Sequence, residues 1–509
     1  MCSPGGHGVS ASRGVSEMAN VALQLGIVVG YLLLALGVGL VAYRLTERSA
    51  EDYYLANRTI GTVVLLFTTF ATLLSAFTFF GGPNLAFAAG PEWILVMGLM
   101  DGVIFGILWY VMGYKQWLIG REYGYVTVGE MLGDRFDSRA LRGLVAGISL
   151  FWLLEYVMLQ QVGAGRALES LTEGAIPYWA GATLITAFMI GYVVLAGMRG
   201  VAWTDTLQGV FMLVLVWVAL AWISVSAGGP GELTAAMGEV NPEFLSLGGG
   251  LYSPQYMLSM AIAIGFGVAM FPQINQRFFV ARSERVLKRS LALWPLLVIL
   301  LFVPAFILGA WATGLGVTPN ARGNILPPLL NAYTPTWFAA LVVAGAMAAM
   351  MSSSDSMLLS GSSYLTRDLY RPFVDPDASD RREDLVARLA VVAFALIALA
   401  MSLGTNLTLI EIGATAFKGY AQLTLPVLVA LYWRGTTRAG MLAGVGISQA
   451  FYLLATFTDP VPATYGGWQA GLIGMGIGLV VTVGVSLVTR AAPEENADRF
   501  VTPESTDAD

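Results

Sequence analysis

Long apolar blocks follow one another along nearly the whole chain with only short polar loops between them, and most reach the roughly 20 residues that a helix needs to cross about 30 Å of hydrocarbon. Within lipid a backbone N–H or C=O finds no water, so a spanning segment must satisfy its own hydrogen bonds as a helix or close into a barrel. Barrel strands would read as segments of about ten residues alternating apolar and polar, and that alternation is absent. The expected fold is therefore all-α and polytopic, in the cell membrane. Composition agrees: 56% of 509 residues are apolar and only 12% charged, against about a quarter charged in a soluble domain, and the mean hydropathy is +0.70.

Thirteen spans are expected, centred near residues 33, 70, 103, 152, 188, 215, 265, 301, 348, 394, 420, 447 and 478. The basic residues alternate with that count. Odd-numbered gaps hold Arg44, Arg48 and Arg58, then Lys115 through Arg142, Arg199, Arg277 through Arg289, Arg367 through Arg388, and Arg434 with Arg438; the opposite side keeps only Arg13, Arg166 and Arg322. Positive charge stays on the cytoplasmic side, so the N-terminus is expected outside and the C-terminus in the cytoplasm. The chain divides into a disordered leader at 1–17, with Met18 as a candidate true start, and a first span and loop at 18–60. A first repeat at 61–230 (second to sixth spans) and a second at 254–436 (seventh to eleventh) follow, then two further spans at 437–489 and a disordered acidic tail at 490–509.

The single cysteine, Cys2, and single histidine, His7, both precede Met18, so the spanning body can build no disulfide, thiolate metal site, histidine-based triad or histidine proton relay. No phosphate-binding P-loop occurs, and the net charge of −6 argues against nucleic acid as a partner. Neither enzymatic activity nor an organic cofactor is expected. The partners expected are membrane lipid and whatever crosses it, with no obligate protein partner evident.

Two spans carry helix breakers: Gly81, Gly82 and Pro83 in the second, and Gly265, Gly267 and Pro272 in the seventh. Glycine loosens a helix, and proline removes a donor and clashes with the preceding turn, so both are expected to unwind there. They lie five spans apart, and five-helix units in tandem must sit in opposite orientations, the plan of many secondary transporters. An unwound helix exposes carbonyls that can bind a hard cation. In the ninth span, GAMAAMMSSSDSMLLSGSSYLTRDLY at 345–370, Ala349, Ser352 and Ser353 share one face at i, i+3 and i+4. Oxygen-only ligands of this kind suit an alkali cation; a lone serine in such a helix more often bonds back to a carbonyl a turn earlier. Asp355 puts a carboxyl at membrane depth, which needs a cation or donor.

These stretches, with LSAFTFFGGPNLAFAAG at 74–90, TDTLQG at 204–209, PQINQRF at 272–278 and AQLTLPVLVALYWR at 421–434, resemble the sodium/solute symporter family, which includes proline, pantothenate and sugar symporters. The resemblance runs from Met18 to about Arg490 and implies a LeuT-like core of two inverted repeats working by alternating access. It implies a symporter that imports a small organic solute, a carboxylate or amino-acid-like molecule, with Na+ as the coupling ion; a proton-coupled carrier of the same fold is the alternative. By matching positions, the sodium site would comprise the carbonyls of Ala71, Leu74 and Ala349 and the hydroxyls of Ser352 and Ser353. A second cation site known in some members matches Asp205, Ser352, Asp355 and Ser356. Solute contacts match Phe77, Thr78, Tyr156, Gln160 and Ile264, of which Phe77 and Ile264 depart from the tryptophans of proline permeases. Lys418, the lone lysine midway along the eleventh span, is expected either to meet an anionic solute or to pair with Glu411.

Overall fold

The computed structural model describes residues 7–44, 54–320, 322–490 and 494–503. In chain order its helices are α1 (His7–Arg44), α2 (Thr62–Leu73), α3 (Phe77–Ala89), α4 (Leu95–Tyr123), α5 (Val128–Arg135), α6 (Arg139–Leu171), α7 (Tyr178–Ser226) and α8 (Pro230–Val240). There follow α9 (Pro254–Ala269), α10 (Pro272–Val280), α11 (Glu284–Gly314), α12 (Leu326–Tyr333), α13 (Thr336–Phe373), α14 (Asp380–Gly404), α15 (Leu409–Tyr432), α16 (Arg438–Phe457), α17 (Ala470–Val488) and α18 (Glu494–Val501). A two-residue hairpin, β1 (Thr464–Tyr465) with β2 (Trp468–Gln469), leads into α17. Among the described residues nine helices are long and apolar enough to cross a membrane, and two bent pairs, α2 with α3 and α9 with α10, bring the number to eleven.

The spans expected around residues 188 and 215 both fall in α7, whose 49 residues are all in helical conformation, Arg199 included. A straight helix of that length would extend roughly 73 Å at 1.5 Å per residue. It is not straight, because the Tyr192 hydroxyl donates to the Gly200 carbonyl at 3.1 Å and bonds the Thr204 hydroxyl. Residues 192 and 204 would stand about 18 Å apart along a straight axis, so the chain turns back sharply between them.

The second span breaks earlier than expected. α2 ends at Leu73, Leu74 is extended (φ −73°, ψ 125°), and α3 departs at 60°. Gly81, Gly82 and Pro83 lie inside α3, where they serve packing instead. A Cβ on Gly82 would overlap the Phe306 ring, and one on Gly309 would stand 2.2 Å from the Pro83 carbonyl oxygen, so α3 and α11 touch backbone to backbone. The seventh span bends by 54° where expected, between Ala269 and Pro272.

α7 packs against α1, α2, α6 and α13, while α15 packs against α6, α9 and α17. The two broken spans therefore sit between α6, α7 and α13 on one side and α11 and α15 on the other.

Both termini depart from expectation. α1 starts at His7, so the expected leader is helical from that residue, whereas Cys2 lies outside the described residues; once a helix is nucleated by an apolar span, each added residue gains a hydrogen bond. In the expected disordered tail, α18 docks on the body through Ala497 and Phe500, spaced i, i+3 and both buried. Phe500 stacks on Tyr123 and Tyr125, Arg434 pairs with Asp498 at 2.7 Å, and Lys115 Nζ donates to the Val501 carbonyl at 2.7 Å.

Candidate functional site

The break in the second span contains neither proline nor glycine, and partners on other helices hold it. Leu74 N–H makes the last bond of α2, to the Phe70 carbonyl, and carbonyls beyond that point lose their intrahelical donors. Ser353, on α13, lies within hydrogen-bond reach of two of them: its hydroxyl donates to the Thr72 carbonyl at 2.9 Å and also meets that of Leu74. On the far side of the break, Ala76 N–H donates to Gln160 Oε1 at 2.9 Å and Phe77 N–H to Ser75 Oγ at 3.2 Å. Ser75 Oγ also bonds the Tyr156 hydroxyl at 3.0 Å.

Ala71, Leu74, Ala349, Ser352 and Ser353 are all buried, and the structure brings the end of α2 against the serine face of α13. That cluster presents only oxygen, from backbone and hydroxyls, which is the donor set hard monovalent cations take. Among the described residues no group of three or more His, Cys, Asp or Glu side chains gathers that would hold a transition metal.

One turn along, the residues matched to a second cation separate. Asp205, on α7, accepts from Ser352 Oγ at 2.5 Å through Oδ1, and through Oδ2 from Thr68 Oγ1 at 2.6 Å and Arg277 Nη2 at 3.1 Å. Arg277 also donates to Thr72 Oγ1 at 2.9 Å, to Thr68 Oγ1 at 3.2 Å and to Ser356 Oγ. Its side chain, expected among the loop charges, is 0% exposed. It sits on α10, which turns inward after the bend at Pro272. Asp355 is buried as well, yet it makes no bond to this network and its Oδ1 has no hydrogen-bond partner.

Four of the expected solute contacts, Phe77, Thr78, Tyr156 and Ile264, line one cavity with Met97, Trp294 and Phe417. Its volume is ≈ 30 Å³, about what one liquid water occupies, so an organic solute enters only if the surrounding helices part. Aromatic rings close it: Phe417 lies parallel to Phe271 at 5.3 Å between centroids and meets Tyr156 and Phe77 edge-on.

Two expected contacts are not there. Gln160 spends its amide on Ala76 N–H and the Tyr156 carbonyl, so it holds the break open and does not line the cavity. Lys418 faces the opposite way, toward α17, where Nζ donates to Gln469 Oε1 at 3.3 Å and its stem lies over Gly471. Successive helix residues differ by about 100°, so with Phe417 turned into the cavity Lys418 must turn out. It does not pair with Glu411 either: that carboxylate accepts from Thr408 N–H at 2.7 Å and caps α15. Sequence reading missed Phe417, Phe271 and Arg277. The signal for Arg277 was its place five residues after Pro272, inside a motif singled out for other reasons.

Comparison with known proteins bears on what this geometry serves. The model of the sodium:solute symporter family matches residues 53–447. The sodium/pantothenate symporter of Escherichia coli (strain K12) is 28% identical over 487 residues, covering 92% of this chain and 100% of that protein. The high-affinity proline transporter of Bacillus subtilis (strain 168) is 28% identical over 477 residues, covering 91% and 98%. Among solved structures, a substrate-bound, outward-open Na+-coupled sialic acid symporter shares the fold with a TM-score of 0.77 at 20% identity, over 93% of this chain and 99% of that one.

Proposed function

The chain belongs to the sodium:solute symporter family, and from that premise we propose that it imports a small carboxylate or amino-acid-like solute by alternating access, with sodium bound where α2 ends against α13. It is a multi-pass membrane transporter and not an enzyme. The observation that carries the sodium reading is Ser353, whose hydroxyl reaches the carbonyls freed at the break. Ala71, Leu74, Ala349, Ser352 and Ser353 supply the ion's oxygens, and the ion ties the broken span to α13. Solute binding between α3, α6, α9 and α15 then closes the outer route, and each ligand raises the affinity for the other because linkage is reciprocal.

The relatives that carry pantothenate and proline support a solute with one carboxylate and an apolar body, as does a cavity lined by Phe77, Thr78, Tyr156, Ile264 and Phe417. Lys418 takes no part in its recognition. Coupling to protons is the second reading, and Asp355, buried with an unpartnered Oδ1, favours it. Asp205, Asp355 and Ser356 are the residues matched to a second cation. The thirteen-span reading counts Tyr178–Val194 and Leu409–Tyr432 with the eleven spans above, with the N-terminus outside and the C-terminus in the cytoplasm.

Uptake into proteoliposomes tests the function. Labelled pantothenate and proline should accumulate under an inward sodium gradient, with at least one of them competed by unlabelled small carboxylates. Accumulation driven equally by an inward proton gradient without sodium would move the assignment to the second reading.

A further inference from the structure

A buried carboxylate is costly unless a cation, donors or a proton meet it, and Asp205 has a cation built into the chain. The Arg277 guanidinium reaches Asp205 Oδ2 at 3.1 Å, Thr72 Oγ1 at 2.9 Å and Thr68 Oγ1 at 3.2 Å, and it donates to Ser356 Oγ as well. Two of these oxygens, on Asp205 and Ser356, are among those a metal ion beside Asp205 would need. The remaining carboxyl of the group, Asp355, makes no hydrogen bond to this network, and its Oδ1 has no partner. We propose that Arg277 is a tethered cation filling the position between Asp205 and Ser356, so that this protein binds one sodium ion per cycle and not two.

The inference rests on the sodium reading above. Placement adds a mechanical consequence: Arg277 projects from α10, after the bend in the seventh span, and bonds α2, α7 and α13 at once. It thereby joins the two broken spans to the helix that bears Ser353, in a bridge whose cation cannot be diluted away. Sodium concentration then governs only the site at Leu74 and Ser353.

Equilibrium binding of radioactive sodium to the purified full chain in lipid nanodiscs, without solute, counts the ions. Wild type and Arg277→Lys should each hold one. Arg277→Gln exposes the Asp205 charge and should hold two, and Asp205→Asn/Arg277→Gln should return to one, a rescue that a merely structural role for Arg277 would not produce. Two ions in wild type, or a single ion in Arg277→Gln, would overturn the inference. Where Arg277→Gln fails to fold, the wild-type count decides alone, one supporting and two overturning. No bound sodium in wild type would instead overturn the sodium reading itself, and this inference with it.

Discussion

Gln160 and Ser353 act on neighbouring backbone groups at the break in the second span. One satisfies the Ala76 N–H that begins α3, the other the Thr72 and Leu74 carbonyls that end α2. Leaving a buried backbone group unpaired costs about 1–3 kcal/mol. Gln160→Leu should therefore lower the melting temperature and weaken sodium's stabilising effect, whereas Gln160→Glu, which keeps the acceptor, should do neither to the same extent; a thermal scan with and without sodium compares them. Lys418 offers the converse prediction. Because Nζ meets Gln469, the residue just before α17, and not the cavity, Lys418→Met should leave the KM for an anionic solute within about twofold of wild type, and a tenfold rise, about 1.4 kcal/mol, would put the lysine back in the solute's path. The serine face was legible because Ala349, Ser352 and Ser353, at i, i+3 and i+4 in an apolar helix, form a local pattern. The direction of Lys418 was not, since a residue's azimuth depends on which neighbour takes the next position, here Phe417.

At the scale of elements, the bend at Pro272 could be read from the sequence because proline imposes it locally. The break at Leu74 could not, because most of the groups that stabilise it come from elsewhere in the chain, Gln160 and Tyr156 on α6 and Ser353 on α13, and only Ser75, which takes the Phe77 N–H, is local. The glycines that pointed to unwinding serve close contact between helices. Gly267 is the sharpest case, since a Cβ there would stand 2.1 Å from the Phe417 carbonyl oxygen. That neighbour is backbone and cannot rotate away, so Gly267→Ala should force α9 from α15 and cost about 1–3 kcal/mol, as overpacking does, read as a lowered melting temperature. The amphipathic spacing of Ala497 and Phe500 was present in the tail, but eight residues do not hold a helix in water without a surface to dock on. Phe500→Ala should release α18, seen as faster hydrogen exchange at residues 494–501 with little change in the melting temperature of the body.

For the whole molecule, the all-helical, polytopic plan followed from the apolar blocks alone, since lipid leaves the backbone few choices. The coupling mechanism depends on one junction, where a broken span meets the serines of α13. A ligand that binds the folded state alone stabilises it by RT ln(1 + [L]/Kd), about 2.7 kcal/mol at a hundredfold excess over Kd. Thermal unfolding of the purified protein in sodium chloride against choline chloride at equal ionic strength, for wild type and Ser353→Ala, therefore reads the junction directly. The account predicts that sodium raises the wild-type melting temperature and that the rise disappears in Ser353→Ala; an equal rise in both proteins would contradict it.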